Sequence, residues 1–224
     1  MVLWSVGGWA LKAAVKSSRA RQPLGLIFAE NQNDADSLGH LICALWTGAP
    51  SLQYRRKPLV LIKGRAKAEA RKNADQIAQI VKAQNVLSDV KFVVAHQDCD
   101  SLEPHDLVAK QIHDEIVAAG VENVVAVAPA WELEAWWFLW PEAVASVNSK
   151  WRKISRKGNH GMISNAKEVL TRDLRSQGAL DYRESDSVKI AKAVRDKNII
   201  NKRTGVAPSF ESFESRIKDF SGRK

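Results

Sequence analysis

The stretch KFVVAHQDCD (residues 91–100) ends an apolar run on two carboxylates, Asp98 and Asp100, with one residue between them. In an extended segment residues i and i+2 point to the same face, so this spacing predicts a carboxylate pair. Like charges so placed repel unless they are solvated, share a proton or hold a cation. Other acids stand in the same relation to other apolar runs. Glu30 closes PLGLIFAE, and Glu132 and Glu134 follow VENVVAVAPA. If these ends converge, the result is an oxygen-only cluster, the donor type that Mg²⁺ or Mn²⁺ prefers. A cation held there would polarise a phosphodiester and lower the pKa of a bound water.

The elements around these acids must bring them together. Four apolar runs read as strands: residues 23–30, 57–64 (KPLVLIKG), 90–98 and 121–130. Between them lie segments with helical spacing. NDADSLGHLICALW puts Leu38, Leu41, Ile42 and Leu45 on one face, with Asn33 available as its cap. AKAEARKNADQIAQIVKAQN is amphipathic, and PHDLVAKQIHDEIVAAG runs from Pro104 to Gly120. Strands alternating with helices of this length predict an α/β fold with a mostly parallel sheet flanked by helices. In such sheets ligands bind beyond the carboxyl ends of the strands. From Glu132 onward the pattern is mainly helical: ELEAWWFLWPEAVASV with Trp136, Trp137 and Trp140 on one short helix, then two amphipathic helices and the closing PSFESFESRIKDF. The expected organisation is an α/β core over residues 1–142 and a basic helical part over 143–224, packed on that core.

Charge supports the division. The chain carries +9 overall, and residues 143–224 alone carry +10 against −1 for residues 1–142. Such asymmetry is the footprint of a polyanion partner. Lys150, Arg152, Lys153, Arg156 and Lys157 interleave with Trp151 and Ile154 in KWRKISRK, the best local candidate for phosphate contacts. No apolar run approaches the roughly 18 residues that span a membrane. The first 23 residues read as a mature N-terminus and not a signal peptide, since their charges follow the apolar stretch. Cys43 and Cys99 have no metal-ligand spacing and no disulfide framework, so a reducing cytoplasm is expected. His96 reads as a packed or hydrogen-bonded histidine, and Asp34 and Asp36 as acids favourably placed in a first helical turn, from which Asp34 could still reach the metal cluster.

The same residues resemble the Toprim family. IFAENQNDADSL looks like its entry of strand, Glu and helix, and VVAHQDCD like its Asp-x-Asp motif. VAPAWELEAWWFL, DYRESDSVKIAKAVR and APSFESFESRIKDF resemble the Pro…Glu-Ala-Trp, Tyr…Ser-Asp…Ile-Ala and Pro-Ser-Phe-x-x-Phe segments of the Toprim-like domain of unknown function 4276. Together they cover about residues 24–220, in order. Asn31 stands where that family has Gly, and Trp140 where it has an acid or His. The resemblance implies a Toprim-like fold and a Mg²⁺-dependent (or Mn²⁺-dependent) nuclease. It also implies kinship with the Toprim nucleases of bacterial antiphage systems. Glu30, Asp98, Asp100 and Glu134 would be its metal-binding and catalytic residues, and Tyr182, Asp186 and Lys189 its structural support. The expected substrate is nucleic acid, DNA before RNA, and a partner protein of a defence system is compatible with it. The alternatives are a non-catalytic adaptor that binds nucleic acid or a defence protein, and a nucleotidyl or phosphoryl transferase. No G-x-x-x-x-G-K loop is present to suggest an NTPase.

Overall fold

The computed structural model describes residues 20–59, 67–102 and 106–222, without the side chains of residues 67 and 68. In chain order the elements are β1 (Pro23–Phe28), α1 (Gln32–Leu45), β2 (Ser51–Arg55), α2 (Lys67–Leu87), β3 (Asp89–His96), α3 (Asp106–Ala118), β4 (Val124–Val127), a 3-10 helix (Leu133–Leu139), α4 (Pro141–Val147), α5 (Ala166–Leu174), α6 (Glu184–Asp196) and α7 (Pro208–Ser221), with a short 3-10 turn at His160–Met162. The strands form one all-parallel sheet in the order β2-β1-β3-β4. The fold is therefore α/β, a parallel sheet flanked by helices with a helical C-terminal part.

Strand periodicity divides the core in two. Leu24, Leu26, Phe28, Val93, Ala95 and Val124 face Ala74, Ile77, Ile112 and Ile116 of α2 and α3. Their neighbours Ile27, Ala29, Phe92, Val94, Val125 and Val127 face the opposite layer, built from α1, the tryptophan segment and α4 to α7. The C-terminal helices thus share a core with one face of the sheet, and a boundary after residue 142 falls inside α4. Gly25 keeps β1 close to both neighbours. A Cβ there would meet Phe92 Cζ at 2.6 Å and Leu52 Cδ2 at 2.8 Å.

Three local expectations are corrected. Among the described residues the second strand is Ser51–Arg55; of residues 57–64, 57–59 belong to no strand and 60–64 lie outside the described residues. β2 is an edge strand with β1 as its neighbour, so its side chains are half-buried and no continuous apolar run marks it. The cap of α1 is Asn31 and not Asn33; the Asn31 side chain accepts from the Asp34 N–H at 3.0 Å. Trp136 and Trp137 lie in a 3-10 helix, and Trp140 is its C-cap. The expectations for residues 1–19 of the N-terminal segment and for Pro104 fall outside the described residues.

Candidate functional site

The connection from β1 leads through α1 to β2 on one side. Those from β2 to β3 and from β3 to β4 lead back the other way. Right-handed crossovers then place α1 on one face and α2 and α3 on the other. Helices following β1 and β3 diverge, and a crevice opens beyond the carboxyl ends of these two adjacent strands. Glu30 and Asp98 stand there. The Asp98 backbone N–H donates to Glu30 Oε1 at 3.3 Å, across 68 residues of sequence. The Asp98 side chain in turn accepts the Leu133 N–H at 3.2 Å, tying the end of β3 to the start of the tryptophan segment.

Under this rim lies His96, fully buried between two carboxylates. Its Nε2 is 3.3 Å from Asp98 Oδ1 and its Nδ1 3.9 Å from Asp34 Oδ2. These are ion-pair distances without the alignment of hydrogen bonds. Burial favours the neutral ring, but pairing with Asp98 and the charges of Asp34 and Glu30 outweigh it and raise the pKa to about 9. Asp34 belongs to the cluster, the second of the two roles its position in the first helical turn allowed. Burial first, then the charges of Asp98, Glu30 and Glu184, raise its pKa to about 6 against the opposing pull of His96.

Glu134 joins from the other side. Its carboxyl is buried, and burial followed by the Asp98 and Glu132 charges raises its pKa to about 8. The Tyr182 hydroxyl donates to Glu134 Oε1 at 3.0 Å and contacts Ser187 Oγ at 2.5 Å; Ser187 also accepts from Trp137 Nε1. Glu132 does something different. Its Oε1 accepts the Lys167 backbone N–H at 2.9 Å, capping the first turn of α5, whose own N-cap Asn165 makes no side-chain cap. The Lys167 side chain, paired with Glu184, also feels the charges of Glu134 and Glu132, so a cation stands at the edge of the acids. Nothing in the sequence marked Lys167.

Asp100 departs from the extended geometry. Its φ is 46°, which turns Cβ away from the i, i+2 alternation, and its side chain is exposed. It therefore does not share a face with Asp98 by strand geometry. Its backbone is held: the Asp100 N–H donates to the Trp131 carbonyl at 2.8 Å, and the Trp131 N–H to the Ser101 carbonyl at 2.7 Å. Trp131 itself has φ 62°, uncommon for a bulky residue and of the kind that clusters at functional sites.

Trp136, Trp137 and Trp140 are fully buried, and each indole N–H has an acceptor: Ser209 Oγ, Ser187 Oγ and the Ile200 carbonyl. They form the core that carries Glu134 and offer no face for base stacking. Asp186 accepts the Arg183 N–H and the Lys189 ammonium at the start of α6, so these residues support that helix. In the basic loop Trp151 and Ile154 are buried anchors, while Lys150, Arg152, Lys153 and Lys157 are exposed. Arg156 is half-buried, bonded to both carboxylate oxygens of Asp173 and placed over the Phe138 ring at 5.8 Å. Cys99 is buried, with Sγ 2.8 Å from Ser101 Oγ.

The oxygens of these acids suit Mg²⁺ in kind, and the upward pKa shifts at Asp34 and Glu134 are the mark of buried negative charge that a cation would relieve. Among the described residues no three Asp, Glu, His or Cys side chains stand around one point. Mg²⁺ needs no such cage; one or two carboxylates completed by water and substrate phosphate suffice. Glu30 and Asp98 are two carboxylate residues joined at the crevice through the Asp98 N–H. No family model matches the chain, and neither a curated protein nor a solved structure matches it. Among the described residues no helix is long and apolar enough to cross a membrane.

Proposed function

We propose that the chain is a Mg²⁺- or Mn²⁺-dependent phosphodiesterase of Toprim type, a nuclease acting on DNA before RNA. In this reading it works in the cytoplasm, as the effector of an antiphage defence system. The observation that carries the reading is the joining of Glu30 and Asp98 at the β1/β3 crevice, with Asp34 and Glu134 beside them. Glu30 and Asp98 would hold the cation, and Asp34 would complete its outer shell. A hard divalent cation bound there supplies polarisation of the phosphodiester and a more acidic water. Glu134 keeps its proton to about pH 8 and can yield it to a leaving oxygen. Lys167 adds positive charge beside the acids, where a phosphate would approach. The exposed cations of the loop at Lys150–Lys157 would hold the flanking backbone through charge.

The adaptor reading draws on one observation, the absence among the described residues of three ligands around a single point. A cleavage screen separates the two. Plasmid DNA, single-stranded DNA and RNA are incubated with protein and Mg²⁺ or Mn²⁺, with EDTA as control. Metal-dependent cleavage that EDTA abolishes is the expected result. Binding without cleavage under every metal condition would favour the adaptor.

A further inference from the structure

Among the described residues β4 is an edge strand of the sheet, and its outer side lies in a groove of about 970 Å³ between α3 on one face and α7 on the other. The direction of its backbone follows from the β3 pairing. The Val93 N–H donates to the Asn123 carbonyl and the Gln97 N–H to the Val127 carbonyl, so odd-numbered residues of this segment face β3. Backbone groups alternate along a strand, so Val124, Ala126 and Ala128 present theirs to the outer edge. The Ala130 N–H, next in that series, does point outward, to Ser209 Oγ at the start of α7. α7 thus closes the edge at Ala130, Val124 and Ala128 are buried, and the groove opens onto the strand between them. Ala126 is the strand residue that lines it.

The walls carry a definite charge. Asp106 and Asp114 on α3 and Glu211 and Asp219 on α7 face it, against the cations Lys110 and Arg216; His113 also lines it. Lys110 is already bonded to Asp114. On a chain of net +9 this is a negative groove. A second copy pairing edge to edge would bring two such grooves face to face, which charge opposes. β4 (VVAV) has none of the Lys, Pro or bulge that blunt a bare edge.

We propose that this groove is a docking site for an extended Lys- or Arg-bearing segment of a partner protein, which adds as a strand to β4. Main-chain hydrogen bonds to Ala126, where the edge is open, would give it affinity. The α3 and α7 carboxylates would select its basic side chains.

The probe is a labelled nine-residue peptide of alternating valine and lysine, titrated against the full chain by fluorescence anisotropy. Two companions are an alternating valine–glutamate peptide and the lysine peptide N-methylated at alternate residues. The lysine peptide is expected to bind at least tenfold more tightly than either companion. Glu211→Lys with Asp219→Lys changes two exposed positions of α7 and should reverse the preference toward the glutamate peptide. Should that variant melt early, Glu211→Gln with Asp219→Asn should still weaken lysine-peptide binding several-fold. Absence of binding overturns the proposal. So does equal binding of the N-methylated peptide, which would mean charge attraction without strand pairing, and so does an unchanged preference in a folded variant. A dimer in sedimentation that these substitutions dissolve would make a second copy the occupant, and would overturn it as well.

Discussion

The acidic rim and the basic loop at Lys150–Lys157 are both runs of like charge, but the fold treats them differently. At the rim, the acids are tied to backbone or to neighbouring polar side chains: Glu30 to the Asp98 N–H, Asp98 to the Leu133 N–H, Asp34 to the Asn31 amide, and Glu134 to the Tyr182 hydroxyl. Burial and mutual repulsion raise the proton affinity of Asp34 and Glu134. In the loop the apolar residues are fixed, four cations are exposed, and Arg156 alone is locked in an ion pair. Charge held against solvation at one place suggests chemistry, whereas charge left in solvent suggests reversible contact with a polyanion.

The sharpest break of this comparison is Asp98→Asn. It should reduce Mg²⁺-dependent cleavage by more than the roughly 10–100-fold that loss of an outer partner of a metal ligand costs. Asp100→Asn, at an exposed left-handed residue, should cost clearly less. Equal loss in both would mean that Asp100 turns into the site when substrate binds.

Stability against pH comes next. For Glu134, Asp34 and His96 the folded pKa lies above the ordinary value, so the folded state binds the extra proton more tightly. Their stabilising protons are present at low pH and lost as pH rises: across about 4 to 6 for Asp34, 4.5 to 8 for Glu134 and 6.5 to 9 for His96. The expected slope is a loss of about 1.4 kcal/mol per pH unit for each proton in its window. Melting temperature should therefore fall from pH 5 to pH 9, and Glu134→Gln should flatten the fall below pH 8. Mg²⁺ should raise the melting temperature more at pH 8 than at pH 5. A melting temperature that rises over this range would contradict the buried cluster.

Glu132→Gln separates the two acids of WELEAWW. Removing the charge at the start of α5 should cost about 1 kcal/mol or less in denaturant unfolding and leave most activity intact. Glu134→Gln should do the reverse. The smallest effects belong to the loop. Replacing Arg152, Lys153 and Lys157 with Ala should lower the magnitude of the salt slope of nucleic-acid binding by about one per lost phosphate contact. Arg156→Ala should alter thermal stability instead, through Asp173 and Phe138. A slope that moves only with Arg156 would reverse that division of roles.

The α/β alternation, the strands at β1, β3 and β4 and the acids at their ends were legible in the sequence, because buried parallel strands announce themselves as apolar runs. β2 was not, since SLQYR sits at the sheet edge with half-buried side chains and carries no such signal. Lys167 and Trp131 were not legible as parts of the site, because the groups they meet lie far away in sequence; Asp34 was legible only as an acid that could reach the cluster, and His96 only as a packed or hydrogen-bonded histidine.

Residue order along the chain determined which segments become strands and helices, since periodicity and capping act over a few residues. It also determined that Glu30, Asp98 and Glu134 follow or adjoin strand ends. Tertiary structure alone decided that β1 and β3 are neighbours whose crossovers diverge, and so that Glu30 meets Asp98. It alone decided that Asp100 leaves the shared face, since the strand ends at His96 and Asp100 takes a φ of 46°. Proton affinities at Asp34, His96 and Glu134 belong to this second class. They depend on burial and on charges brought close by folding, which no local pattern encodes.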